Sequence, residues 1–148
     1  MDTLVIKQSV VVAADQDRVW RAITEPDQFS KWFGNKLHWD KLAVGEPMTF
    51  EGEGGMAIAI VEPQTRFAFR WQAATGHPAL TLVTFRLQKV ADGTEITVTE
   101  EGFEALPAEL SQERFESNNQ GWNIQMQNIA TYLQGADYTK RDEKHAIQ

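Results

Sequence analysis

The feature that most constrains this fold is a change of hydrophobic period along the chain. Through the middle, apolar residues recur at every second position, as at Met56, Ile58 and Ile60. Successive side chains of a strand point to opposite faces of a sheet, so this period predicts half-buried strands. The same alternation recurs at residues 48–50, 67–71, 83–87 and 96–98. Tight turns such as Asp92-Gly93 separate these segments, which predicts an antiparallel sheet with one buried face.

A long helical period appears near the C-terminus. The apolar stripe that defines it consists of Phe115, Trp122, Met126, Ile129 and Leu133. Spacings of three, four and seven residues are typical of an amphipathic helix. With Ser111 as N-cap and Gly135 just past the end, we expect a helix over 111–134, about 34 Å long at 1.5 Å per residue. The remaining polar tail, 137–148, lies outside the single domain that we predict for 1–136.

The N-terminal region predicts one strand and two short helices. Residues 2–13 are rich in Val and Ile, which suits a strand. Asp15 can cap a first helix, and Pro26 ends it, because the residue before a proline is pushed out of the α region. The cluster Phe29, Trp32 and Phe33 then predicts a second helix, which Gly34 closes.

One long helix cannot cover a flat sheet of six or seven strands. A strongly twisted sheet that curls around the helix solves this problem and leaves its concave face partly lined and partly empty. We therefore expect an α+β fold with a cavity between sheet and helix, of the kind that binds small molecules.

Charge and composition exclude several function classes. The chain has 14 Lys and Arg against 21 Asp and Glu, a net charge of −7, which argues against binding nucleic acid or an anionic membrane. It has no cysteine, and His38, His77 and His145 lack zinc-ligand spacing, so we expect no metal or other cofactor. The N-terminus has no signal-peptide pattern and no apolar run long enough to cross a bilayer, so we expect a cytoplasmic protein.

Several short motifs resemble one known family. They are VWRAIT at 19–24, WF at 32–33, FRW at 69–71, GTEITVT at 93–99 with GF at 102–103, GW at 121–122 and YL at 132–133. In this order they resemble the activator of heat-shock-protein-90 ATPase homologue-like family, over roughly residues 3–134. That family belongs to the START-like (SRPBCC) superfamily, with pollen-allergen-like proteins, polyketide cyclases and lipid-transfer domains.

The resemblance implies a helix-grip fold. In that fold a curved seven-stranded antiparallel sheet wraps around a long C-terminal helix, two short helices follow the first strand, and a deep hydrophobic cavity lies between sheet and helix. It also implies hydrophobic or lipid ligands and a link to the stress response. The co-chaperones that name the family contact the chaperone through a separate N-terminal domain. This chain starts at the first strand of the C-terminal-type domain, so a chaperone partner is the less favoured expectation.

Glu100 is the most informative polar residue. Strict alternation places it on the inner face with Ile96 and Val98, where a carboxylate could act as general acid or base or anchor a ligand hydroxyl or amine. If the strand bulges there, Glu100 instead lies at an exposed mouth. We predict that these residues line the cavity: Trp32, Phe33, Phe50, Met56, Ile58, Phe69, Trp71, Val83, Phe85, Val98, Glu100, Trp122 and Met126.

Three functions remain open at this point. The first is binding of a small hydrophobic or aromatic ligand in the cavity, without catalysis, because no nucleophile–base pair is recognisable. The second is a cyclase- or aromatase-type enzyme that uses Glu100 with a Tyr or His partner. The third is a co-chaperone-like interaction protein. A homodimer is compatible with all three.

Overall fold

A computed structural model describes residues 4–134 of the protein. Its sheet has seven antiparallel strands in the order β1-β7-β6-β5-β4-β3-β2. The strands are β1 (Ile6–Val12), β2 (Leu37–His38), β3 (Pro47–Phe50), β4 (Glu53–Glu62), β5 (Arg66–Gln72), β6 (Leu80–Val90) and β7 (Gly93–Glu101). Strands β2 to β7 follow one another in the sheet as an uninterrupted meander, and β1 pairs with β7 at one edge. The connection from β1 to β2 therefore runs from one edge of the sheet to the other.

Within residues 4–134, three α-helices accompany the sheet: α1 (Gln16–Thr24), α2 (Pro26–Phe33) and α3 (Ala108–Gln134). A short 3₁₀ helix, Phe103–Ala105, leads into α3. The predicted cap of α1 is confirmed, because the Asp15 side chain accepts a hydrogen bond from the Arg18 backbone N–H at 2.7 Å. Gly34, at φ +88°, ends α2 as predicted. The seven-stranded helix-grip architecture expected from the sequence is thus confirmed.

The long helix packs against the inner face of the sheet. The Trp122 ring of α3 lies 5.7 Å from Phe85 on β6 and 5.9 Å from Trp71 on β5, measured between ring centroids. At the edge of the sheet, Gln8 Nε2 of β1 donates to the Asn119 carbonyl of α3 at 2.7 Å. The core therefore lies between α3 and the concave face, which positions the candidate site.

The start of α3 differs from the sequence prediction. Ser111 is not its N-cap: the helix begins at Ala108, and the Ser111 N–H already donates to the Pro107 carbonyl at 2.8 Å. Leu110 supplies the reason, since it packs on a small cluster with Leu106 and thereby favours an extra turn. With 27 residues the helix is about 40 Å long. The predicted C-terminal Gly135 and the tail 137–148 lie outside the described residues.

Gly93 is needed for a different reason than the predicted turn. The two-residue loop between β6 and β7 consists of Ala91 and Asp92, and neither has a positive φ. Gly93 itself has φ +143°, and a Cβ placed there would lie 2.0 Å from the Val12 carbonyl oxygen. The close approach of β1 thus excludes any side chain at this position.

Candidate functional site

The candidate site is organised around Glu100 on β7. Ile96, Val98 and Glu100 are all fully buried, so the alternation continues inward to the last of them without a bulge. Glu100 pairs with Ile6 of β1 on one side and with Val83 of β6 on the other. The interpretation that Glu100 points inward is confirmed, and the alternative of an exposed mouth position is wrong.

Four side chains donate hydrogen bonds to the Glu100 carboxylate. Trp71 Nε1 and Thr81 Oγ1 reach Oε2 at 2.9 and 2.5 Å. Trp122 Nε1 reaches Oε1 at 2.8 Å. Asn118 Nδ2 lies 3.2 Å from both oxygens. The donors come from β5, β6 and α3, so Glu100 ties the helix to the inner face of the sheet.

The surroundings of Glu100 fit an ionised carboxylate. An indole nitrogen can only donate, and the Asn118 amide nitrogen also donates, whereas an ionised carboxylate only accepts. These donors are all electrically neutral. Within residues 4–134, the ion pairs join Asp17 to Arg21, Asp40 to His38 and Glu62 to Arg66, so none involves Glu100. The Glu100 carboxylate is therefore surrounded by neutral donor dipoles and has no ionic partner within residues 4–134.

Next to Glu100 lies a group of four packed rings, which we call the aromatic quartet: Phe33, Phe50, Trp71 and Trp122. Trp71 and Trp122 are stacked, with an interplanar angle of 28°, and both indoles donate to Glu100. Phe33 lies 6.0–6.4 Å from each of the other three rings. Phe50 and Trp71 are partly exposed, so the quartet presents ring surface to solvent directly beside the buried carboxylate.

The other predicted lining residues lie in the core between the sheet and α3, but many of them have no contact with solvent. Six of the predicted residues have no water-accessible surface: Trp32, Phe69, Val83, Phe85, Val98 and Glu100. Met56, Ile58 and Met126 retain 2–7%. The structure therefore brings the predicted set together as packed core, and among these residues only Phe50 and Trp71 offer appreciable ring surface. That these residues contact a ligand stays a prediction.

The Tyr or His partner that an enzyme built on Glu100 would use is not found beside it. Within residues 4–134, none of the hydrogen-bond partners of Glu100 is a Tyr or a His. His38 lies on β2 and contacts Asp40, His77 accepts from the Ala79 N–H, and Tyr132 donates to Gln28. His145 lies outside the described residues.

Two contributors to the site were not predicted as such. Thr81 is fully buried and continues the inward alternation of Val83 and Phe85 on β6. Extending the alternation of that strand by two residues would therefore have predicted that Thr81 points inward. Gln125 of α3 is the second, and its Nε2 donates to the Phe33 carbonyl at 2.8 Å. This hydrogen bond fixes the end of α2, and with it the Phe33 ring, against α3.

Away from the quartet, a concavity of about 360 Å³ lies between α1 and the segment that follows β2. Its walls are Trp20, Arg21, Thr24, Glu25, Pro26, Trp39, Asp40 and Leu42. The two indoles there are 4–7% exposed and present little ring surface, so the aromatic quartet is the better candidate for a ligand.

The sequence of this chain matches one family model over residues 13–134, described as Activator of Hsp90 ATPase homolog 1-like protein. The chain belongs to this family. The resemblance drawn from the short motifs is thereby confirmed. No curated protein is similar enough in sequence to be counted as a relative.

Solved structures of other proteins share the fold. Protein MLL2253 from Mesorhizobium loti is 24% identical with a TM-score of 0.75, and the match covers 90% of this chain and 98% of that one. DynU16, described as a putative protein in the dynemicin biosynthetic locus, is 25% identical with a TM-score of 0.72, over 90% of this chain and 48% of its own. CalU16 from Micromonospora echinospora is 22% identical with a TM-score of 0.67, over 95% and 81%.

None of the helices within residues 4–134 is both long and apolar enough to span a bilayer. In the same part of the chain, no three His, Cys, Asp or Glu side chains come together as a metal site would require.

Proposed function

We propose that this protein binds a small, flat hydrophobic or aromatic ligand against the aromatic quartet, between the sheet and α3. The observation that carries the proposal is the partly exposed ring surface of Phe50 and Trp71, backed by the stacked Trp122. Aromatic rings bind flat ligands through apolar burial and through offset or edge-to-face ring contacts. The fold is compatible with this function, since it places a concave sheet opposite a single helix.

The rigidity of the quartet supports the same proposal. Hydrogen bonds to Glu100 fix both indoles, and the Gln125 hydrogen bond fixes the backbone at Phe33. A preformed surface loses little conformational entropy on binding, so a small contact area can give a measurable affinity. The similar protein DynU16 comes from a biosynthetic locus, and a small-molecule ligand is compatible with that origin.

A neutral probe tests this function without involving charge. We expect naphthalene-2-methanol to shift the indole Nε1–H NMR signals of Trp71 and Trp122 and to leave that of Trp39 in place. Phe50→Ala removes half-buried ring surface without touching Glu100, so it should weaken binding about tenfold. Phe115→Ala is the matched control, because that phenyl ring is also partly buried but packs on Phe103.

Two results would contradict the proposal. One is an absence of any change at Trp71 and Trp122 up to the solubility limit of the probe. The other is an equal loss of affinity in Phe50→Ala and Phe115→Ala, which would place the probe elsewhere.

A further inference from the structure

The Glu100 carboxylate is fully buried and has no cationic partner among residues 4–134. We propose that the ligand of this site is a cation, namely a flat aromatic ring that carries a protonated amine. This inference rests on the proposed function and specifies its ligand class. An ammonium group seated beside the quartet would supply the positive charge that the four neutral donors lack.

The quartet suits a cation as well as a ring. The faces of Trp and Phe rings carry negative electrostatic potential, and Trp binds cations most strongly. Trp71 is partly exposed and donates its N–H to Glu100, so the same residue presents a ring face to the ligand and an edge to the carboxylate. A cation over this face is attracted both by the ring and by the anion behind it.

Asn118 is the donor that an ammonium group would replace. Its amide nitrogen is shared between both carboxylate oxygens at 3.2 Å, whereas the other three donors lie at 2.5–2.9 Å. Asn118 is also only half-buried, so its side chain is partly accessible to solvent. A charged donor forms a stronger hydrogen bond to a carboxylate than a neutral amide does, which favours the exchange.

The surrounding charge favours cations and excludes anions. The chain has a net charge of −7. The first half of α3, which carries Asn118, contains Glu109, Glu113 and Glu116 against the single basic residue Arg114. A carboxylate ligand would therefore approach an acidic helix and meet a buried anion, and both interactions are repulsive.

Three naphthyl probes of the same shape test this inference on the full chain at pH 7. We expect 2-naphthylmethylamine to bind roughly tenfold tighter than naphthalene-2-methanol and 2-naphthoate to bind weakest, by calorimetry or by the indole NMR shifts. Glu100→Gln keeps the shape and removes the charge, so it should abolish the preference for the amine and leave the affinity for the alcohol within about twofold.

A second variant covers the case in which Glu100→Gln does not fold. Asn118→Ala removes the donor that the amine displaces, so it should raise the affinity for the amine more than the affinity for the alcohol. Equal binding of amine and alcohol by the wild type, or tightest binding of the naphthoate, would overturn the charge inference and leave the proposed function standing. If none of the three probes binds, the proposed function itself fails.

Discussion

Trp122→Phe measures how much the hydrogen bond to the Glu100 charge stabilises the fold. The substitution keeps an aromatic ring on α3 but removes the Nε1–H that lies 2.8 Å from Oε1. A hydrogen bond to a charged group contributes about 1.5–3 kcal/mol, against about 0.5–1.5 kcal/mol for a neutral pair. The lost ring volume adds a packing term, which has to be subtracted with a matched control.

Trp39→Phe is that control. Trp39 is 4% exposed and Trp122 is 3% exposed, and the Trp39 Nε1–H donates to the neutral Thr24 carbonyl at 3.1 Å. Both variants lose the same atoms from a buried site, so the difference reports the charge on the acceptor. We expect Trp122→Phe to lower the free energy of unfolding by about 1 kcal/mol more than Trp39→Phe does.

Urea denaturation at pH 7, followed by far-ultraviolet circular dichroism, gives both values without depending on tryptophan fluorescence. Repeating Trp122→Phe in the Glu100→Gln background should reduce its cost toward that of Trp39→Phe, because the charged acceptor is gone. Equal costs for the two single variants, together with no coupling to Glu100→Gln, would refute the reasoning that a buried charge organises this site.

Three further predictions concern the rest of the fold. Gly93→Ala should destabilise by more than about 2 kcal/mol in urea, because its Cβ would meet the Val12 carbonyl at 2.0 Å; a near-silent variant would contradict the β1–β7 approach. Asp15→Ala should cost about 1 kcal/mol in thermal or urea unfolding, and Asp15→Asn should restore most of it, since Asn also caps helices. Side-chain hydrogen bonds from Arg66 lower the pKa of Glu62. The contribution of Glu62 to stability is therefore present above its unfolded-state pKa and is lost as the pH falls through its folded-state pKa. NMR titration of Arg66→Gln should give a normal Glu62 pKa, and an unchanged low pKa would exclude this cause.

Local pattern was sufficient for the three α-helices and for every strand except the two-residue β2, since a period of two or of 3.6 depends only on which face of a strand or helix is buried. It also placed Glu100 inward, because Ile96 and Val98 set the phase of β7. It failed at the start of α3, where Leu110 packs on residues distant in sequence and extends the helix past Ser111.

Short-range periodicity in the sequence was enough to predict the sheet, the long amphipathic helix and the inward direction of Glu100. The surroundings of that carboxylate depend on how distant elements pack together. Trp71, Thr81, Asn118 and Trp122 come from three separate elements, and their convergence depends on strand register and on the position of α3 across the sheet. The same is true of Gly93, whose requirement for glycine comes from the neighbouring β1 strand rather than from its own turn.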